Sequence, residues 1–125
     1  MNKKADPRRE ANRRAQWNKG LAEMALLCLL RPAPLYGLEI LDRLNGEAGL
    51  GVAEGSIYPL LHRLEAAGHV AAQWRTETEN GRPRKYYAIT PAGRATATAM
   101  VAEWQQTRAR LDALIEETGD DKQRR

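Results

Sequence analysis

The sequence predicts a mainly α chain with one small β-hairpin and a long final helix. Three observations carry this. Helical hydrophobic spacing recurs in three stretches before Gly68, period-two alternation flanks Asn80-Gly81, and Thr90-Pro91 opens a run without proline that reaches Gly119. Three helices followed by a two-stranded β-wing is the winged helix-turn-helix plan, here extended by a C-terminal helix that reads as a dimerisation element.

Residues 1–16 are polar, contain Pro7 and lack an apolar stripe, so they read as a basic flexible arm or an extension of the first helix. From Trp17 to Arg31 the pattern turns helical, with Leu21, Met24, Ala25, Cys28 and Leu29 on one face and Leu26, Leu27 and Leu30 widening it. Pro32 and Pro34 end that helix. A second helix fits Tyr36 to Asn45, and Gly46, Gly49 and Gly51 break the chain after it. A third runs over Glu54–Ala67 and stops at Gly68, with Ile57, Leu60, Leu61 and Leu64 inward. Pro59 lacks an N–H and crowds the preceding turn, so it is expected within the first turns, with Gly55 or Ser56 relaxing the backbone. Residues His69–Arg75 and Arg84–Ile89 alternate as strands around the Asn80-Gly81 turn, with Trp74 expected in the core. Thr90 as N-cap and Pro91 at the first helical position open the last helix, which runs to about Glu117. The domain limits that follow are an arm at 1–16, a DNA-binding domain at 17–90, a dimerisation helix at 91–118 and a flexible tail at 119–125.

A chain of 125 residues allows one small domain with an extra helix and excludes a two-domain enzyme. The absence of Phe and the 6% aromatic content make its core aliphatic. Cys28 is the single cysteine, which removes a disulfide framework and a cysteine-based zinc site. His62 and His69 are an improbable metal pair, and no nucleophile–base constellation, P-loop or dinucleotide fingerprint is present, so neither catalysis nor a cofactor or metal is expected. The longest apolar run, Met24 to Leu30, is too short to span a bilayer. With no signal-peptide pattern, a soluble cytoplasmic protein without a membrane partner is expected.

The net charge of +4 is unevenly placed. Residues 1–19 carry +5, residues 20–119 carry −2 and residues 120–125 carry +1. The body is thus slightly acidic, and a nucleic-acid role must rest on local clusters. Two are present. The third helix offers Ser56, Tyr58 and Pro59 in its first turns and His62 and Arg63 one turn later, where a reading helix would meet base edges and phosphates. The wing tip offers Arg82, Arg84 and Lys85, cations suited to phosphate or minor-groove contact, softened by Glu77 and Glu79 on the other limb. Solvated helix positions and a solubilising turn are the plainer alternatives. If Tyr87 and Ile89 point inward, Lys85 shares their face while Arg84 and Tyr86 point the other way.

The last helix carries Ala97, Met100, Trp104, Thr107, Leu111 and Leu114 at coiled-coil-like spacing. That seam can pair with a second copy, fold back on the first helix of its own chain, or do both.

Several blocks resemble the PadR family of bacterial transcriptional regulators. They are Lys19-Gly20-Leu21-Ala22-Glu23, Tyr36-Gly37-Leu38-Glu39-Ile40, Glu54-Gly55-Ser56-Ile57-Tyr58-Pro59-Leu60-Leu61-His62-Arg63-Leu64-Glu65, and Asn80-Gly81-Arg82-Pro83-Arg84-Lys85-Tyr86-Tyr87 with Thr90-Pro91-Ala92-Gly93. Their order and spacing match over about residues 19–117, and the single terminal helix resembles the short subfamily of multidrug-responsive repressors. The resemblance implies a homodimeric repressor on a pseudo-palindromic operator. It implies DNA contact by the helix holding Ser56, Tyr58 and Pro59, phosphate contact by the wing, and backbone anchoring near Lys19 and Tyr36. Ala53 departs from the serine N-cap of many relatives, which weakens the cap by about 1 kcal/mol. Trp104, in the segment Glu103-Trp104, matches a position at which some short members stack planar aromatic drugs, with Met100 and Trp17 as candidate neighbours. Simple core packing is the alternative for Trp104. A winged-helix module that binds proteins and never touches DNA is the alternative for the whole chain.

Overall fold

The structure, a computed structural model, describes residues 6–77 and 79–119, without the side chains of residues 11 and 14–17. Its elements are α1 (Pro7–Leu29), β1 (Leu35–Tyr36), α2 (Gly37–Gly46), α3 (Glu54–Ala66), β2 (Val70–Arg75), β3 (Arg84–Ile89) and α4 (Pro91–Glu117). The winged helix-turn-helix plan with its long final helix is what the residues form. Among the described residues no helix is long and apolar enough to cross a membrane.

α1 starts ten residues earlier than the apolar stripe. The Asp6 carboxylate accepts the Arg8 N–H at 3.0 Å and Pro7 takes the first helical position, so a capped start replaces a flexible arm from Pro7 onward. Residues 1–5 lie outside the described set. Local capping chemistry, not a buried face, begins this helix, which is why hydrophobic periodicity does not reveal it.

α3 stops as Gly68 predicts. The Gly68 N–H donates to Glu65 O at 3.0 Å and the His69 N–H to Leu64 O at 2.9 Å, a Schellman closure that needs the positive φ of 82° at Gly68. Pro59 lies at the sixth helical position, in the second turn, and the helix continues through it. The carbonyl left without a donor is that of Gly55, exposed on the outer face where water can satisfy it.

The sheet has three strands, not two, in the order β1-β3-β2. Tyr36, expected as the first residue of a helix, instead pairs with Tyr86 and serves as the N-cap position of α2. Along β2 and β3 the register sets Ala72 opposite Tyr87, Trp74 opposite Lys85 and Arg75 opposite Arg84. Tyr87 is buried, but Trp74, expected in the core, is 67% exposed. It lies on the inward-facing side of the strand but too near the wing tip for any helix to cover it.

The core is aliphatic, with Leu26, Leu27, Leu30, Ile40, Leu44, Ile57, Leu61 and Leu64 fully buried between α1, α2 and α3. Two asparagines fix how α3 sits on it. Asn45 bonds the backbone of Val52 twice, at 2.9 and 2.7 Å, and Asn18 donates to Leu50 O at 2.9 Å. At the end of α2 Arg43 bonds Glu47 at 2.7 Å, and this hydrogen bond holds the Glu47 carboxyl below its ordinary range.

α4 opens on Thr90, whose hydroxyl accepts the Gly93 N–H at 2.9 Å and donates to Gly68 O at 2.7 Å. Its first turns fold back on α1. Ala97 is fully buried in the chain's own core and Met100 packs against that core. Ala97 therefore has no surface to offer a second copy, a correction to the seam drawn from spacing alone. Trp104 is half-buried, and from Gln105 to Thr118 every residue is exposed, including Leu111, Leu114 and Ile115.

Candidate nucleic-acid interface

α3 divides its residues by face. Ile57, Leu60, Leu61 and Leu64 are buried, whereas Ser56, Tyr58, Pro59, His62 and Arg63 are exposed in one row. The N-cap, Ala53, supplies no side-chain bond; the Ser56 N–H instead donates to Ala53 O at 2.9 Å. Ser56, His62 and Arg63, exposed on a rigid helix, can meet a partner without reorganising the core.

Lys19 joins this row from α1. It lines a groove of about 490 Å³ between α1 and α3, together with Asn18, Ser56, Pro59 and Arg63. Among the described residues no carboxylate lines the groove, and Lys19 and Arg63 give it a positive rim.

Tyr58 connects the row to the wing. Its ring lies against Gly37, where an added Cβ would sit 2.7 Å from both the ring carbon Cε1 and the hydroxyl. Gly37 opens α2 directly after Tyr36, and Tyr36 starts a stack on the outer face of the sheet. The Tyr36 and Tyr86 rings meet edge-on, 5.5 Å between centroids. The Arg84 guanidinium lies 4.4 Å from the Tyr36 centroid and that of Arg75 lies 4.3 Å from Tyr86. Lys85 projects to the opposite face, 5.7 Å from the centroid of buried Tyr87, as the alternation predicts. Arg82 is exposed in the turn, where its N–H donates to the Asn80 side chain at 3.1 Å and Gly81 takes a positive φ of 73°.

The expected contact residues thus fall into a continuous surface running from Lys19 and α3 through Tyr58 and Tyr36 to Arg84. Lys85 stands apart on the inner face, and Trp104 and Met100 lie elsewhere, on α4. The Trp17 side chain is outside the described set. The sequence places Tyr86 on the face of Arg84 without giving it a role, and it does not point to Arg75. Arg75 lies on the neighbouring strand and joins that face only through its pairing with Arg84, which the Asn80-Gly81 turn sets.

Gly37→Ala tests the junction. The obstructing atoms are the far end of a half-exposed tyrosine, which can swing away, so stability should fall by only about 1 kcal/mol. DNA affinity should fall by more, because the displaced Tyr58 ring occupies the middle of the surface. Thermal melts and DNA titrations of the same preparation check the pair of outcomes.

Comparison with known proteins agrees with this geometry. The model of the PadR-like family of transcriptional regulators matches residues 26–99. A transcriptional regulator of Mycobacterium tuberculosis is 48% identical over 50 residues, covering 40% of this chain and 45% of that protein. Among solved structures, a PadR-like transcriptional regulator of Bacillus cereus superposes with a TM-score of 0.74 at 30% identity, covering 84% of this chain and 99% of that one. A PadR-family regulator of Eggerthella lenta gives 0.70 at 30% identity, covering 83% and 88%. Members of this family regulate transcription and are not enzymes. With its fold, its motif blocks and a family match across more than half its length, the chain belongs to the PadR-like family of transcriptional regulators.

Proposed function

We propose that the chain is a homodimeric repressor that binds double-stranded DNA at a pseudo-palindromic operator and is released by a planar aromatic small molecule. The observation that carries DNA binding is the continuous exposed surface from α3 to the wing. A helix presenting Ser56, Tyr58, Pro59, His62 and Arg63 suits the major groove, while Lys19, Tyr36, Arg82 and Arg84 suit the flanking backbone, with Lys85 reaching it from the other face of the wing. The unit 17–90 would bind DNA and the helix 91–118 would dimerise. Titration of the chain against its own upstream DNA tests this reading.

Dimerisation is supported by the distal half of α4, which exposes Leu111, Leu114 and Ile115 while its own chain offers them no partner among the described residues. The interface would use Met100, Trp104, Thr107, Leu111 and Leu114, with Ile115 added and Ala97 removed. Two reading helices on one DNA face would stand about 34–36 Å apart, one helical turn.

An aromatic effector is supported by the place of Trp104, half-buried where α4 leaves the body. A planar ligand stacked there would favour a dimer geometry that misplaces the reading helices. Such a ligand should quench tryptophan emission, and Trp104→Ala should remove the quenching. Because Trp74 is 67% exposed and open to collisional quenching, the comparison should be made in a Trp74→Phe background. Undiminished quenching in Trp104→Ala would remove Trp104 from the effector site.

A second reading, a winged-helix module that binds another protein, is favoured by Trp74 alone. A bare tryptophan on the wing is the residue type that anchors protein interfaces. The salt dependence of DNA binding separates the two.

A further inference from the structure

The outer face of the wing holds a side-chain arrangement that fold stability does not account for. Arg75 and Arg84 are register partners on adjacent antiparallel strands, so two like charges stand directly opposite each other, a pairing that weakens a sheet. Neither has a carboxylate within 4.0 Å among the described residues. Each guanidinium instead lies over a ring, Arg84 on Tyr36 and Arg75 on Tyr86, and the two rings brace each other edge-on. Arg75 has one further contact, a long 3.4 Å hydrogen bond to the Gln73 side chain.

A cation on an aromatic face keeps its in-plane N–H donors pointing outward and loses rotamer freedom before any ligand arrives. Two such cations on one face, without a neutralising acid, form a preorganised site for paired anions. The face is continuous, through Tyr36 and Gly37, with the exposed row of α3. The anions that lie beside a helix seated in the major groove are phosphodiesters.

We infer that Arg75 and Arg84 form one phosphodiester clamp on the outer face of the wing, with Tyr86 and Tyr36 as the positioning residues that hold them. The inference rests on the DNA-binding reading and adds to it a contact residue, Arg75, and a role for Tyr86. It also explains why the wing tolerates facing arginines: the cost in the free protein is recovered when phosphate enters between them.

The test uses the full chain, a mixed-sequence DNA duplex and fluorescence anisotropy across a salt series, since phosphate contacts act on all sequences alike. Arg75→Ala should lower affinity several-fold and reduce the slope of log K against log salt by about 0.9 per protomer. Arg84→Ala should do the same. Arg75→Ala should have little further effect in a Tyr86→Leu background, and Tyr86→Phe, which keeps the ring, should bind as the parent does. A slope reduced by Arg84→Ala but untouched by Arg75→Ala would overturn the clamp and leave the DNA-binding wing standing. Slopes unchanged in both variants would overturn the outer face of the wing as a DNA contact and the clamp with it. If Arg75→Ala shifts only the melting temperature, its role is structural and the inference fails.

Discussion

Gly93→Ala should destabilise the fold by about 3 kcal/mol, the upper end of what overpacking costs, for one added methyl group. The new Cβ would overlap the carbonyl oxygen of His69 and lie 2.9 Å from Ile89 Cγ1. Neither neighbour can easily yield. The His69 carbonyl accepts the Thr90 N–H at 3.1 Å, and the His69 N–H closes the end of α3 on Leu64 at 2.9 Å. Moving that peptide would loosen the stop of α3 and the cap of α4 together. α3 and α4 are thereby coupled at one backbone contact. Thermal and urea denaturation followed by circular dichroism measure the loss, expected as a fall of roughly 10 °C or more in Tm. A change under about 1 kcal/mol would mean that α4 does not seat against His69 as described.

The double substitution Leu111→Asp/Leu114→Asp should have the larger effect on function. Both leucines are about half exposed in the single chain, at 46% and 52%, so replacing them costs the monomer fold little. In the proposed dimer each buried leucine contributes about 1.5–3 kcal/mol, and four would be lost across the two-fold axis. Four carboxylates would also be brought together. Sedimentation should show a dimer for the parent chain and a monomer for the variant, and operator affinity should collapse because two weak half-site contacts no longer act as one. A variant that remains dimeric would place the interface elsewhere.

Much of this architecture was legible in the residues. Thr90-Pro91 marks the start of α4, Gly68 the end of α3 and Asn80-Gly81 the turn of the wing, because each signal is local backbone chemistry and needs no knowledge of the rest of the chain. The features that escaped depend on long-range placement. β1 is two residues long and exists only because β3 comes alongside it. Trp74 has the parity of a core residue but lies beyond the reach of the helices, a matter of strand length against helix position. The seam of α4 has one spacing along its length, yet its first part is covered by α1 and the rest is bare, and periodicity does not say what covers a face. Arg75 needed the register before it could be seen beside Arg84. At the start of α1 the residues left an arm and a helix extension both open, since a capped polar helix buries no stripe to read.

In the proposed dimer, the exposed row of α3 and the outer face of the wing form one DNA-binding surface, used twice. Its most direct test is binding of the full chain to its own upstream DNA, followed by mobility shift at increasing salt. The expected result is a complex of two protomers per duplex whose log K falls linearly with log salt, by about 0.9 for each phosphate engaged. Binding that is absent at low salt, or that does not weaken as salt rises, would contradict it.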